Sequence, residues 1–186
     1  MTIQQITKDM RAAMDKGIES TRREFASIRS GKASPNMLDT VRVDMYGTSM
    51  ALNQVASVSA PEPRVLIVTP FDKSQAKVIE KAIRESDLGL NPSSQGDLLR
   101  VPMPALSEER RKDLTKVVRH AGEEARIAVR NVRRDANEHA KKLLKDKEIS
   151  EDDERRSLDE LQRLTDRSIA EIDRLTSAKE AEILAV

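Results

Sequence analysis

At 186 residues the chain has room for one or two small domains, and with aromatics at 2% its core must be aliphatic and Met-rich, which suits helix packing better than a ligand pocket walled by rings. The absence of Cys excludes disulfide stapling, thiol chemistry and zinc sites of the Cys type. The 33 Lys and Arg nearly cancel 32 Asp and Glu, so the net charge of +1 says little about partners and only the distribution of charge can.

The texture changes twice along the chain. Residues 1–29 and 107–184 are rich in Ala, Leu, Glu, Arg and Lys and contain no Pro, whereas all 7 Pro fall between Pro35 and Pro104. This pattern predicts a helical domain interrupted by a compact insertion. In the first segment Ile3, Ile6, Met10, Met14, Ile18, Phe25 and Ile28 recur at steps mostly of three or four, a core-facing helical stripe with Gly17 as its weak spot. The sequence SGKASP then breaks the helix, because Gly31 is permissive and Pro35 disfavours the α region at Ser34.

The insertion reads as β-rich. Strand patterns occur at 40–47, 55–60, 64–70 and 97–103, and an amphipathic helix over 73–86 is N-capped by Asp72 and carries Ala76, Val78, Ile79 and Ile83 on its apolar face. Residues 88–97 read as a turn-rich loop.

A second long helix begins after Ser107, with Glu108 and Glu109 in its first turn, and can run to Lys145. At 1.5 Å per residue it would be roughly 55–60 Å long. Ser150 then caps a third helix whose first turn is acidic and whose stripe is Leu158, Leu161, Leu164, Ile169, Ile172, Leu175 and Ile183. Three such helices bury their stripes together as an elongated bundle. The expected division is a bundle of residues 1–30 plus 106–186, an inserted α+β domain of residues 31–105, and a double hinge at Ser30, Gly31, Ala105 and Leu106.

Projected at 100° per residue, the middle helix collects Lys112, Lys116, Arg119, Arg126, Arg130, Arg133, Arg134 and Lys141 in a strip about 100° wide, with Glu123 the one acid inside it. From Lys112 to Lys141 the strip reaches about 45 Å. Val117, Ala121, Ala125, Ala128, Val132, Ala136 and Leu143 lie on the far side as core candidates, while Ile127 and Leu144 do not fit. Residues 107–149 carry a net +4 and residues 150–186 a net −5, so overall neutrality hides a polarised helical domain. Two readings stay open at this point. The acidic third helix could absorb the strip through salt bridges at the bundle edge, or the strip could face the phosphates of a folded nucleic acid. The angle between strip and core stripe, about 140–180°, favours exposure.

No catalytic constellation emerges, so no catalytic residue, metal or cofactor is expected. His120 and His139 are 19 residues apart without ligand partners at helical spacing, and no nucleophile elbow, dinucleotide or P-loop motif occurs. EDDE at 151–154 begins a helix, where capping explains it. No run of 18 apolar residues could span a membrane and the N-terminus lacks the apolar core of a secretory signal, so a soluble, cytoplasmic protein is expected. A helical-bundle scaffold without an RNA partner is the structural alternative; it predicts a stable homo-oligomer, against the monomer expected here.

The segments IRSGKASPNMLD (28–39), EKAIRESDLGLNP (80–92), VPMPALSEERRKDLTK (101–116), VRNVRRDAN (129–137) and KDKEISEDDERR (145–156) closely resemble ribosome recycling factors of bacteria and organelles, and the resemblance covers essentially the whole chain. It implies an L-shaped α+β protein, a long three-helix bundle with an inserted small β/α/β domain. It further implies binding to the post-termination ribosome across the A and P sites of the large subunit. There, with elongation factor G and that factor's GTP hydrolysis, subunits separate and messenger and tRNA leave. Carried over by motif, Arg130, Arg133 and Arg134 match the arginines that face ribosomal RNA, Arg110, Arg111 and Lys112 match EERRK, and Arg29 precedes the hinge; Lys116, Arg119 and Arg126 join them through the strip. Lys32 stands where Arg is more usual and Met45 where many members have Tyr.

Overall fold

The computed structural model describes residues 1–185. They divide into two compact units, Met1–Ile28 with Glu109–Leu184, and Arg29–Glu108. The expected hinge residues Ser30, Gly31, Ala105 and Leu106 all fall inside the second unit, and the chain passes between the units at 28/29 and 108/109.

The first unit is built from α1 (Ile3–Ser27), α4 (Glu108–Lys145) and α5 (Glu151–Leu184). Thr2 caps α1 by accepting from the Gln5 amide at 3.2 Å. Ile6, Met10, Met14 and Phe25 are buried along α1 as the periodicity predicts. On α5 the buried positions recur in steps of 4, 4 and 3, an 11-residue repeat: Ser157, Leu161, Thr165, Ser168, Ile172, Thr176, Lys179 and Ile183. Small hydroxyl residues therefore occupy places the apolar pattern alone does not mark. They are tolerated because each buried Thr returns its hydroxyl to its own helix: Thr165 donates to Leu161 O and Thr176 to Ile172 O, both at 2.8 Å. Ser168 donates to the Met14 sulfur at 3.4 Å.

The turn between α4 and α5 is closed from both sides. Lys147 adopts a left-handed conformation (φ 58°), and the amides of Lys147 and Glu148 donate to Leu144 O and Leu143 O, both at 2.9 Å. This is the double bond pattern of a Schellman stop, with lysine where glycine is usual. Ser150 then accepts from the Asp153 amide at 3.1 Å while the Asp153 carboxylate accepts from the Ser150 amide at 3.2 Å and its hydroxyl at 2.7 Å. The expected capping box forms with Asp in its third position.

The core stripe of α4 is rotated from the one expected. Leu114, Val118, Ala121, Val129, Ala136, Ala140 and Leu143 are buried, whereas Val117 is 51% exposed and Ala128 is exposed. Ile127, which did not fit the stripe, is 47% exposed. Alanine and valine sit on several sides of this helix, so its wheel does not single out the contact face; the neighbouring helices do.

The second unit holds two small sheets. β1 (Arg42–Met45) and β2 (Thr48–Ala51) form a hairpin through Tyr46 (φ 51°) and Gly47 (φ 76°), the two positive-φ positions of a type I′ turn. After a single helical turn, α2 (Leu52–Val55), come β3 (Ala56–Glu62) and β4 (Val65–Pro70), then α3 (Ala76–Glu85), β5 (Ser93–Gln95) and β6 (Leu98–Pro102). The second sheet is antiparallel in the order β3-β4-β6-β5. The four strand regions read from sequence are all present. β2 and β5 are additional, since Thr48–Ala51 and Ser93–Gln95 have too little alternation to signal a strand. Asp72 caps the short 3₁₀ turn Lys73–Gln75 that leads into α3, by accepting from the Ser74 amide at 3.0 Å. Val43, Leu52, Leu66, Val68, Ile79, Ile83, Leu99 and Val101 form the core of this unit. Met45 is buried among them, so an apolar side chain here avoids the buried hydroxyl that Tyr would bring.

Candidate nucleic-acid interface

The predicted basic residues other than Arg29 lie along α4, one continuous helix that runs through Gly122 unbroken. At the start of α4 stand Arg110, Arg111 and Lys112, of which Arg111 is half-buried; Lys116 follows, exposed and without an ion pair among the described residues. Arg29 is exposed and belongs to the second unit.

The strip is not electrostatically uniform. Arg119 makes a two-pronged contact with Glu180 of α5, at 3.0 and 3.2 Å. Arg126 lies between Glu123, at 2.8 Å, and Asp173 of α5, at 2.6 Å, with only 21% of its side chain exposed. Arg130 reaches Glu123 at 3.4 Å. The hydrogen bond from Arg126 is the main influence holding the Glu123 carboxyl below the usual carboxylate range, with a smaller contribution from Arg130. In the middle of α4, then, the acidic third helix does absorb charge, as the first of the two open readings held.

Beyond Arg130 the surroundings change. Arg133 reaches across to α5 and meets Gln162, not a carboxylate, at 3.1 Å. Arg134 donates to the amide oxygen of Asn131 at 3.3 Å. Lys141, Lys142, Lys145 and Lys147 form no ion pair among the described residues. From Arg133 to Lys145, about 18 Å of helix, the cations therefore make no ion pair among the described residues. Rotation of the core stripe explains the split. It brings Arg119, Arg126 and Arg133 to the edge beside α5, and the α5 residue at each level decides whether that charge is cancelled. Sequence reasoning missed Glu180, Asp173 and Gln162, because partners on a separate helix leave no local signal; the opposite net charges of the two segments were the one available hint.

No helix among the described residues is long and apolar enough to cross a membrane. A long helical bundle interrupted by an inserted β/α/β domain, with one helix face carrying cations outside any ion pair among the described residues, defines a two-unit α+β protein with a basic helical face.

The comparisons specify it further. The sequence profile of the ribosome recycling factor family matches residues 21–184. The chain is 65% identical over 186 residues to the ribosome-recycling factors of Leptothrix cholodnii and Methylibium petroleiphilum, covering 100% of each, and 53% identical to that of Burkholderia mallei. It matches a solution structure of a ribosome recycling factor with TM-score 0.71 at 40% identity, covering 100% of this chain and 99% of that one. It also matches the T. thermophilus factor, described together with E. coli elongation factor G bound to the E. coli post-termination complex, with TM-score 0.63 at 47% identity over 99% of this chain. The chain belongs to the ribosome recycling factor family. Its function is ribosome recycling, which sets the scaffold alternative aside.

Proposed function

We propose that the chain docks through α4 on ribosomal RNA of the large subunit, across the A and P sites. There, with elongation factor G and its GTP hydrolysis, it separates the subunits of the post-termination ribosome. The supporting observation is the run from Arg133 to Lys145, where guanidinium and ammonium groups meet neutral partners or none among the described residues. Such groups retain their charge for phosphate oxygens, and Arg can engage them with two parallel hydrogen bonds. Arg130, Arg133 and Arg134 are the principal contacts in this reading. Arg110, Arg111, Lys112, Lys116 and Arg29 are flanking ones, and Arg119 and Arg126 serve mainly to hold α5. The second unit is the part moved by elongation factor G, through hinge residues Ser30, Gly31, Ala105 and Leu106. The factor works in the cytoplasm as a monomer and uses no cofactor.

A subunit-splitting assay with and without elongation factor G and GTP tests the whole reading. Arg133→Glu should bind the large subunit at least tenfold more weakly at low salt, and wild-type affinity should fall steeply as salt rises. A crosslink joining residues 30–31 to 105–106 should abolish splitting yet leave binding intact. Salt-independent binding, or normal splitting by the crosslinked protein, overturns the respective half.

A further inference from the structure

Resting on the reading of α4 as the RNA-facing helix, we infer that Gln162 on α5 is a positioning residue that presents the Arg133 guanidinium without cancelling its charge. Three basic residues at the edge of α4 reach α5, and their acceptors differ in kind. Arg119 meets Glu180 and Arg126 meets Asp173, both carboxylates. Arg133 meets the amide oxygen of Gln162 at 3.1 Å through Nη1. The Gln162 amide is itself oriented, because its Nε2 donates to the Asp166 carboxylate at 2.8 Å, which leaves its oxygen facing Arg133.

The consequence is a half-buried arginine with restricted freedom and an intact charge. Its Nε and the Oδ1 of Asn137 one turn further on are buried with no hydrogen-bond partner among the described residues, so the guanidinium is held through Nη1. An arginine at this place with a carboxylate partner would be neutralised like Arg126. Without any partner it would lose side-chain entropy on binding phosphate, a cost that one hydrogen bond to a neutral acceptor reduces beforehand. The Asp166 carboxylate is spent on the amide and sits one hydrogen bond removed from the guanidinium.

The experiment measures affinity for the isolated large ribosomal subunit across a salt series, for wild type, Gln162→Glu, Gln162→Met, Arg133→Met, and the Gln162→Glu/Arg133→Met pair. Circular dichroism confirms that each is folded. Gln162→Glu should weaken binding about five- to tenfold at low salt and lower the salt slope by up to about one unit, because one phosphate contact is replaced by an internal ion pair. Gln162→Met, which keeps the length and removes the acceptor, should weaken binding about two- to fourfold. In the Arg133→Met background, Gln162→Glu should change affinity less than about twofold. An undiminished Gln162→Glu penalty in that background would mean simple repulsion between a new carboxylate and the RNA, and overturns the inference. Wild-type affinity in Gln162→Met does so as well. If Arg133→Met itself binds like wild type, the RNA-facing reading of α4 fails first, and that outcome is distinct from the other two.

Discussion

Two glycines lie within the long helices, and replacing each with alanine should have opposite effects. Gly17 lies within α1, and a methyl group added there meets no heavy atom within 4 Å. Alanine loses less backbone freedom on folding than glycine, so Gly17→Ala should stabilise by about 0.5–1 kcal/mol. Gly122 is buried on α4, where the same methyl would sit 2.6 Å from Oγ1 and 3.2 Å from Cγ2 of Thr176 on α5. Thr176 is buried and its hydroxyl is tied to Ile172 O, so it cannot turn away without leaving a buried hydroxyl unpaired. Overpacking costs about 1–3 kcal/mol, and a 2.6 Å approach to a hydroxyl held by its own helix belongs in the upper half of that range, so after a helical gain of about 1 kcal/mol the net loss is about 1–2 kcal/mol. For a helical unit of this size that is a fall of about 5–10 °C, and a rise of about 3–5 °C for Gly17→Ala. Thermal melts followed at 222 nm read both. Adding Thr176→Ala to Gly122→Ala removes the two clashing atoms and leaves only a Cβ at 3.5 Å, so it should recover part of the loss. If Gly122→Ala is as stable as wild type, α4 and α5 are not held at this separation and the packing account is wrong.

Glu123→Gln should free Arg126 and Arg130 from their shared carboxylate and tighten binding to the large subunit a few-fold at low salt; unchanged affinity would show that neither arginine is electrostatically available. Lys147→Gly should stabilise the first unit by about 0.5–1 kcal/mol in a urea melt, since glycine meets the left-handed conformation without the penalty a side chain carries. The Asp153 carboxyl is held below its usual range, first by the Ser150 hydroxyl and then by the Ser150 amide. A depressed folded-state value means that this stability is complete above the ordinary aspartate range and is lost as pH falls through the folded value. Asp153→Asn should therefore destabilise the protein at pH 7 and lose less further stability on acidification than wild type, read from melting temperatures between pH 7 and pH 3.

Much of the architecture was legible locally. Periodicity placed α1, α4 and α5, and the Ser150 cap and acidic first turn placed the start of α5 at Glu151. Pro content separated the insertion, and alternation found its principal strands. Where local signal was thin the reading fell short. β2 and β5 are short segments that hydrogen-bonding partners, more than composition, hold in strand form. The small hydroxyl residues of α5 carry no apolar signal, yet Thr165, Ser168 and Thr176 are buried, and Thr176 packs closely against Gly122 of α4.

The basic strip shows where the boundary lies. Its residues, their spacing and their common face follow from the order of amino acids and the 3.6-residue turn, and so does the family resemblance that points to ribosome recycling. Which of those charges remain uncompensated does not follow, because Glu180, Asp173 and Gln162 are 47 to 61 residues or 29 residues away in sequence and reach α4 only once α5 is packed against it. Charge on a helix is a local property, whereas the field it presents depends on every carboxylate that packing brings within a few ångströms. Tertiary structure thus turned a strip of eight candidates into a paired middle at Arg119 and Arg126, and a run beyond Arg130 in which Arg133 keeps its charge beside a neutral amide.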